Sequence, residues 1–426
     1  MDDVKISAMK AREVLDSKAR PMVEVDVWTT DGSMGRGASP CGTSVGRHEA
    51  FVLRDGGPRY GGLGVRKAMA HVNEVIAPAL FGRSVFDQAG IDQIMIDLDG
   101  TPDKSRLGAN AIYSVSIAVA RAAANSLRLP LFRYLGGKKE YRLPVPMFNM
   151  INGKGASETR SEFQEYLLIP TTAEIYSEAL RMGVEIFSRL GDTIKRRYGK
   201  ASLQIGISAG YAAPVNEPGE LLETLLEAAK EAGYEGKCRV GLDCAASDFY
   251  DRKDGRYLFR GKKIDRDELI QVLEDLAQRY PLFLIEDPLE EDDFRGFAEI
   301  TKRLDLLIIG DDLFVTNVER LKKGIDMGSA NGMILKPNMV GTLTEAIGTA
   351  EYANKHGYRV VGSGRAGAGP DDPIPEIAVA LGAPLVKFGA PRTGERISKQ
   401  NCMLRIEEEL GQSGHFAGND LFKNRP

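Results

Sequence analysis

The sequence predicts an α/β protein in which a (β/α)₈ barrel follows a smaller α+β domain. Between residues 240 and 387, short apolar runs alternate with longer amphipathic stretches, which is typical of repeated βα units around a parallel sheet. Residues 22–28 instead alternate strictly between apolar and polar side chains and end at the turn signal Asp31-Gly32, which predicts a half-buried strand entering a hairpin. The segments 65–80 and 110–127 then have the apolar spacing of helices.

A short connection separates the two predicted domains. Residues 143–147 (LPVPM) contain two prolines and lie close to Gly136 and Gly137. Proline and glycine disfavour a helix interior, so this stretch suits an inter-domain connection. We therefore expect an N-terminal α+β domain over residues 1–140 and a barrel domain, which carries the metal and catalytic groups, over residues 141–426.

Composition excludes several classes of function. Lys and Arg total 56 against 60 Asp and Glu, a net charge of -4, so no basic field indicates a nucleic-acid partner. The first residues are acidic where a signal peptide needs basic ones, and no run of about 18 apolar residues indicates a membrane span. The four cysteines form no CxxC pair. We expect a cytoplasmic protein with neither a nucleic-acid nor a membrane partner.

Polar residues end the successive apolar runs of the predicted barrel. One such ending is usually the start of a solvated loop, but several in a row predict a site, because the carboxyl ends of barrel strands converge on one mouth. The runs are 240–243 (VGLD), 283–286 (FLIE), 307–311 (LIIGD), 333–336 (MILK), 360–363 (VVGS) and 385–387 (LVK).

Three carboxylates at these strand ends predict a metal site. Asp243, Glu286 and Asp311 offer hard oxygen ligands without any His or Cys, a set that suits Mg²⁺. The alternative is that the neighbouring Asp287 and Asp312 cap helices and that one of the three carboxylates does the same.

Two lysines are expected at the same mouth. Lys336 and Lys387 would lie close to each other and to Mg²⁺, and these positive charges disfavour the charged form of a lysine. One of the two lysines is therefore expected to be neutral near pH 7 and to act as a base. A metal ion on the substrate carboxylate would stabilise the enediolate that such a base creates. The alternative is that both lysines only bind an anionic substrate.

Several blocks of residues, taken in order, resemble those of enolase, phosphopyruvate hydratase, over nearly the whole chain. The resemblance implies an enolase-type, TIM-like (β/α)₈ barrel and an enolase-superfamily lyase or lyase-derived transferase. It also implies a homodimer or an octamer of dimers. The blocks are 11–17 (AREVLDS), 107–111 (LGANA), 151–153 (ING), 285–288 (IEDP), 310–317 (GDDLFVTN), 341–345 (GTLTE) and 404–411 (LRIEEELG).

The resemblance also assigns roles to single residues. Asp243, Glu286 and Asp311 match the ligands of a tightly bound Mg²⁺, and Lys336 matches the general base. Lys387 matches the lysine near the substrate carboxylate, and Glu165 the acidic partner near the acid step. The substrate contacts implied are Arg365 on the phosphate, the neighbouring Ser363, and Ser44, which matches the serine that reaches a second Mg²⁺ bound with substrate.

The other half of the expected site departs from the family. Residues 206–210 (GISAG) place Ser208 where the family has the glutamic acid that protonates the leaving hydroxyl. Ala156 and Gly364 replace two histidines, and Ala366 replaces a serine. Lost general-acid help lowers a rate by about 10²- to 10⁴-fold, and the smaller side chains predict a larger pocket. Lys154, where the family has glycine, would bind extra phosphate or phosphonate charge or would simply be a solvated loop lysine.

These observations lead to one main hypothesis and two alternatives. The main hypothesis is a Mg²⁺-dependent enzyme that abstracts the α-proton of a 2-phosphoglycerate-like carboxylate, gives an enediolate or enolpyruvyl product, and has altered leaving-group chemistry. Such altered chemistry suits the carboxyphosphonoenolpyruvate synthase branch of phosphonate biosynthesis. The first alternative is a phosphopyruvate hydratase in which water or Glu165 replaces the missing acid. The second is a non-catalytic metabolite-binding paralogue, against which the complete set of metal ligands and lysines argues.

Overall fold

The computed structural model describes residues 4–40, 42, 45–153 and 161–422. The strands, in chain order, are β1 (Ile6–Leu15), β2 (Pro21–Thr29), β3 (Met34–Ala38), β4 (Tyr141–Leu143), β5 (Val145–Asn152), β6 (Glu165–Pro170), β7 (Tyr211–Ala212), β8 (Cys238–Asp243), β9 (Tyr250–Asp251), β10 (Arg256–Phe259), β11 (Lys262–Ile264), β12 (Leu282–Glu286), β13 (Leu307–Gly310), β14 (Gly332–Leu335), β15 (Arg359–Ser363), β16 (Leu385–Gly389) and β17 (Gly414–Phe416). The α-helices are α1 (Arg66–His71), α2 (Ala77–Leu80), α3 (Gln88–Asp99), α4 (Ala109–Ser126), α5 (Leu131–Gly136), α6 (Tyr176–Tyr198), α7 (Pro218–Glu231), α8 (Arg266–Arg279), α9 (Phe294–Arg303), α10 (Val318–Met327), α11 (Leu343–Lys355), α12 (Ile374–Leu381), α13 (Gly394–Leu410) and α14 (Gly418–Leu421).

The N-terminal part is an antiparallel sheet covered by helices, as the alternation and the helical spacing predicted. Strands β1, β2 and β3 pair in sequence order, and the turn between β2 and β3 contains Gly32 at a φ of 84°. Helix α4 lies directly on β3, because a Cβ built on Gly35 would be 2.1 Å from the carbonyl oxygen of Ala118. The sheet and the Ala-rich helix can therefore pack backbone to backbone.

The C-terminal part is a closed eight-stranded barrel. Its strands follow the order β16-β15-β14-β13-β12-β8-β6-β5, and the pairing of β16 with β5 closes the sheet. The fold class predicted from the alternating pattern is thus confirmed. The expected apolar runs form β8 and β12 to β16, and the amphipathic stretches between them form helices.

One strand differs from the parallel arrangement that the repeated pattern predicted. Strand β6 runs antiparallel to both β5 and β8. It follows β5 after residues 153–164, and antiparallel neighbours need only a short connection, whereas parallel strands need a crossover. The reversal puts the first residue of β6, Glu165, opposite Asp243, the last residue of β8. A residue at the start of this strand therefore reaches the mouth where the parallel strands end.

The structure contains two hydrophobic cores, and helix α4 contributes residues to both. One lies between the N-terminal sheet and its helices, and the other fills the barrel and the space beneath its surrounding helices. Polar contacts join the parts: Lys104 forms an ion pair with Glu345 at 2.9 Å, and Asp92 accepts a hydrogen bond from the backbone of Thr344. No helix among the described residues is long and apolar enough to cross a membrane.

Candidate active site

A cavity of about 390 Å³ opens at the mouth of the barrel. The predicted residues that line it are charged on one side and small on the other, and they come from strand ends and from the loops that follow. They are Glu165, Ser208, Asp243, Asp311, Lys336, Ser363, Gly364, Arg365, Ala366 and Lys387. The predicted Ser44, Lys154 and Ala156 lie outside the described residues.

Lys387 lies in the middle of a buried carboxylate cluster. Its Nζ donates to Asp243 Oδ2 at 2.6 Å and to Glu286 Oε2 at 2.7 Å, and it lies 3.2 Å from Glu165 Oε2. Burial lowers the pKa of Lys387, but the charges of Asp243, Glu165 and Glu286 outweigh that effect and raise the pKa well above its usual value. This lysine is therefore an ammonium ion shared by three carboxylates.

Lys336 follows β14 and forms a short ion pair with Asp311. Burial lowers the pKa of Lys336, but the charges of Asp311 and Glu286 together outweigh burial, so the pKa is raised. The repulsion between Lys336 and Lys387 therefore does not by itself leave either lysine neutral, and the additional effect of a bound Mg²⁺ stays a prediction. Each lysine has its own carboxylate partners, and these attractions exceed the repulsion between the two ammonium groups.

Asp287 has a structural role, but it binds a turn rather than the end of a helix, so it does not bear out the capping alternative. Its carboxylate accepts the backbone N–H groups of Asp311 at 2.9 Å and of Asp312 at 2.8 Å. One ligand oxygen from each of Asp287, Asp311 and Asp312 lies within 4.8 Å of the others. Burial, followed by the charge of Asp311, raises the pKa of Asp312 to about 8. Because Asp287 accepts two N–H groups, it orients the Asp311 turn.

The predicted carboxylates fit a divalent cation. Burial and the charge of Asp243 raise the pKa of Glu286 well above its usual value, so these carboxylates require positive charge nearby in order to stay ionised. Asp311 Oδ1 is buried and has no hydrogen-bond partner among the described residues. A set of hard oxygens with an unused acceptor is what Mg²⁺ prefers. Asp243, Glu286 and Asp311 would hold it.

Arg365 is held by Glu49 from the N-terminal domain. Its Nη1 lies 2.5 Å from Glu49 Oε2 and its Nη2 lies 3.2 Å from Glu49 Oε1, and both side chains are buried. The guanidinium also packs against Gly42, where a built Cβ would be 2.0 Å from Nη2. The sequence patterns did not reveal Glu49, which lies 316 positions from Arg365 along the chain.

The side of the cavity formed by Ser208, Gly364 and Ala366 is less open than predicted. A Cβ built on Gly364 would be 3.1 Å from Cε and 3.3 Å from Cδ of Lys399. The stem of Lys399 therefore takes part of the space that a histidine at position 364 would use. The predicted enlargement is therefore reduced beside Gly364, and at Ser208 and Ala366 it stays a prediction.

Sequence analysis also missed several polar residues of the cavity, among them Gln164 and Arg396. Gln164 Nε2 donates to Asp243 Oδ2 at 3.1 Å, and its position directly before Glu165 could have indicated it. Arg396 belongs to helix α13, and no strand-end pattern marks it.

Comparisons with known proteins agree with this geometry. A family model for the C-terminal TIM barrel domain of enolase matches residues 140–425, and one for the enolase N-terminal domain matches residues 6–135. Proteins named enolase from Methanopyrus kandleri, Methanocaldococcus jannaschii and Thermococcus gammatolerans are similar over almost their whole length. The relative from Methanopyrus kandleri is 51% identical over 98% of this chain and 99% of its own length. The one from Methanocaldococcus jannaschii is 48% identical over 97% of each chain, and the one from Thermococcus gammatolerans is 48% identical over 98% of each chain.

These matches define the class of protein as an enzyme, a lyase of the enolase superfamily. The chain belongs to the enolase family.

Proposed function

We propose that this enzyme removes the proton next to the carboxylate of 2-phosphoglycerate or a close analogue, and that its overall reaction is a slow form of the dehydration to phosphoenolpyruvate. The observation that carries the proposal is the cluster of Lys336 and Lys387 with buried carboxylates at the barrel mouth. Full-length relatives named enolase support the same substrate class.

In this proposal each charged group has a separate task. Lys336 takes the proton, and Arg365, oriented by Glu49, binds the phosphate. Mg²⁺ on Asp243, Glu286 and Asp311 would supply the positive charge that stabilises an enediolate. Lys336 must release its own proton before it acts as a base. A metal ion bound by Asp311 would favour that release, because the negative charge of Asp311 raises the pKa of Lys336.

The departure of hydroxide is the weak step of the proposed reaction. A serine hydroxyl at position 208 is a much poorer proton donor than a carboxylic acid. Glu165 does not replace it. Burial raises the pKa of Glu165, but Lys387, the Ser208 hydroxyl and Arg396 together outweigh burial and lower this pKa, which keeps Glu165 ionised. An ionised Glu165 can orient a water molecule as the proton source. We therefore favour the water-assisted hydratase over one in which Glu165 is the acid.

The carboxyphosphonoenolpyruvate synthase hypothesis has less support. Relatives with 46% to 51% identity carry the name enolase, and Lys154, the residue expected to bind extra phosphonate charge, lies outside the described residues. The side chain of Lys399 beside Gly364 also reduces the extra room that a larger substrate would need.

Solvent exchange and product formation test the proposal together. The protein is incubated with Mg²⁺ and 2-phosphoglycerate in deuterium oxide, exchange at C2 is followed by proton NMR, and phosphoenolpyruvate is followed by its ultraviolet absorbance. We expect exchange to be faster than product formation. Absence of both exchange and product at millimolar substrate would overturn the proposal.

A further inference from the structure

An arginine of the N-terminal domain lies behind the loop that carries Arg365. Arg20 belongs to the turn between β1 and β2, and its side chain is half-buried. Its Nη1 donates to the carbonyl oxygen of Gly42 at 2.8 Å, and a Cβ built on Gly367 would be 2.1 Å from its Nη2. The guanidinium of Arg20 therefore touches the backbone of two segments that are far apart in the chain.

Asp16 fixes the direction of this arginine. One carboxylate oxygen of Asp16, Oδ2, lies 2.9 Å from Nε and 2.8 Å from Nη2 of Arg20. The other oxygen, Oδ1, accepts the backbone N–H groups of Lys18 at 2.8 Å and of Arg20 at 2.9 Å. The side chain of Asp16 has no exposed surface. Because such charge-assisted hydrogen bonds are strong and directional, Asp16 holds the Arg20 guanidinium in one orientation.

Both segments that Arg20 touches reach Arg365. Gly42 packs against the guanidinium of Arg365, since a Cβ built on Gly42 would be 2.0 Å from Nη2 and 2.6 Å from Cζ of that arginine. Gly367 lies two positions after Arg365, in a turn where the N–H of Ala368 donates to the carbonyl oxygen of Arg365 at 3.3 Å. Arg20 is thus one contact away from the guanidinium of Arg365 and also supports its backbone.

Arg365 is therefore held from three directions. Glu49 binds its guanidinium, Gly42 covers one of its Nη groups, and the turn that contains Gly367 fixes its backbone. Loss of the Arg20 side chain would remove a donor from the carbonyl of Gly42 and leave a void beside Gly367. Of the three contacts, the one with Glu49 alone would be undisturbed. A binding group that is less firmly held loses affinity, because the ligand must then order it.

We propose that Arg20 is a positioning residue for Arg365 and that it sets the affinity of the site for the phosphate group of the substrate. The inference rests on the proposed function for the role of Arg365 as the phosphate ligand. Among the described residues, those that line the cavity do not include Arg20. Its effect on the substrate therefore passes through the backbone of Gly42 and of Gly367.

The affinity for 2-phospholactate, which keeps the carboxylate and the phosphate but cannot dehydrate, tests this role. Binding to the full-length protein with Mg²⁺ is measured by titration calorimetry. We expect Arg20→Gln, which introduces a shorter and neutral side chain, to weaken binding at least about fivefold, part of the effect of losing a hydrogen bond to a charged group. C2 exchange at saturating 2-phosphoglycerate should stay within about threefold, because Lys336 and the metal ligands are unchanged.

Two further variants separate positioning from a general structural effect. Arg54→Gln is the matched control, because Arg54 is also half-buried and donates to the carbonyl oxygens of Pro21 at 2.8 Å and Leu63 at 2.6 Å. It should leave the affinity unchanged. Arg20→Lys keeps the charge but cannot span Asp16 and the second segment as a guanidinium does, so it should weaken binding only about two- to fourfold. Arg20→Lys also provides the test if Arg20→Gln does not fold.

A double-mutant comparison tests whether the effect passes through Arg365. In an Arg365→Lys background, Arg20→Gln should change the affinity by less than about twofold, because no guanidinium remains to be positioned. Partial unfolding would instead reduce the number of binding sites per protein molecule without weakening the dissociation constant, and calorimetry measures both quantities.

The outcomes separate the two proposals. Unchanged affinity in folded Arg20→Gln and Arg20→Lys proteins, or an equal loss in the wild-type and Arg365→Lys backgrounds, would overturn the positioning role. A wild-type protein that binds 2-phospholactate but gives no exchange would overturn the proposed function alone, and the affinities of the variants would still decide the role of Arg20. Failure of the wild-type protein to bind 2-phospholactate with Mg²⁺ would overturn both.

Discussion

The two sides of the active-site cavity differ in what holds their side chains. On the proton-abstraction side, Asp243 and Glu286 end the adjacent strands β8 and β12, and Lys387 of β16 donates hydrogen bonds of 2.6 and 2.7 Å to them. On the leaving-group side, Ser208 and Gly364 lie in loops, and the buried Nε of Arg396 has no partner among the described residues.

This difference shows how one half of a reaction can change while the other is kept. Strand ends in a closed barrel are fixed by the sheet, and each carboxylate there depends on the neighbouring charge, so a single change would leave a buried charge unpaired. Residues in loops depend less on a neighbouring charge, so they can be substituted more easily. The substituted positions Ser208, Gly364 and Ala366 all lie in loops.

The largest expected effect comes from the base. Lys336→Ala should lower C2 proton exchange in 2-phosphoglycerate by about 10⁴-fold, the upper end for a lost general base, because Lys336 is the lysine that pairs with Asp311 among the described residues. Exchange is measured by NMR in deuterium oxide, with the exposed Lys262→Ala as control. Exchange that persists in a folded Lys336→Ala protein would move the role to Lys387.

Removal of Mg²⁺ should also lower proton exchange, but by less than the loss of the base. Chelation of Mg²⁺ should reduce exchange by about 10³-fold, because a metal stabilises the developing charge by several kcal/mol. Added Mg²⁺ should restore it in the wild-type protein but not in Glu286→Gln. Undiminished exchange in excess chelator would contradict the assignment of Asp243, Glu286 and Asp311 as ligands.

The leaving-group side should limit the overall reaction. Phosphoenolpyruvate should form at least about 10²-fold more slowly than in a relative with the glutamic acid, because general-acid help is lost. Ser208→Glu should recover only part of this rate, since the acid must still meet a substrate positioned without the family's histidine and serine partners. A wild-type rate equal to that of a family member that carries the glutamic acid, assayed in parallel, would show that the two sides do not differ in function.

The smallest effect is expected at Gly364. Restoring the imidazole with Gly364→His should change phosphoenolpyruvate formation by less than about threefold, because the stem of Lys399 lies 3.1 Å from the position of the new Cβ and displaces the ring. Gly364→Ala separates this steric effect from the effect of the imidazole. A large gain in Gly364→His alone would indicate that Lys399 moves aside easily.

The sequence by itself determined the barrel and the charged residues at its mouth. Apolar runs that end in Asp243, Glu286, Asp311, Lys336 or Lys387 predict both the strands and their common end, because the strand period is local and barrel closure brings carboxyl ends together. The family resemblance then identified Ser208 and Gly364 as departures. These inferences use either residues that are close to one another in the chain or residues that are matched singly with positions of the family.

Only the tertiary structure decided how these residues act on one another. The antiparallel direction of β6 places Glu165 beside Lys387, and Arg365 finds Glu49 at a separation of 316 positions. The raised lysine pKa values and the unpartnered Nε of Arg396 likewise depend on burial and on charges from distant segments. Electrostatic energies depend on distances in space and on desolvation, and neither quantity is encoded in a local pattern of residues.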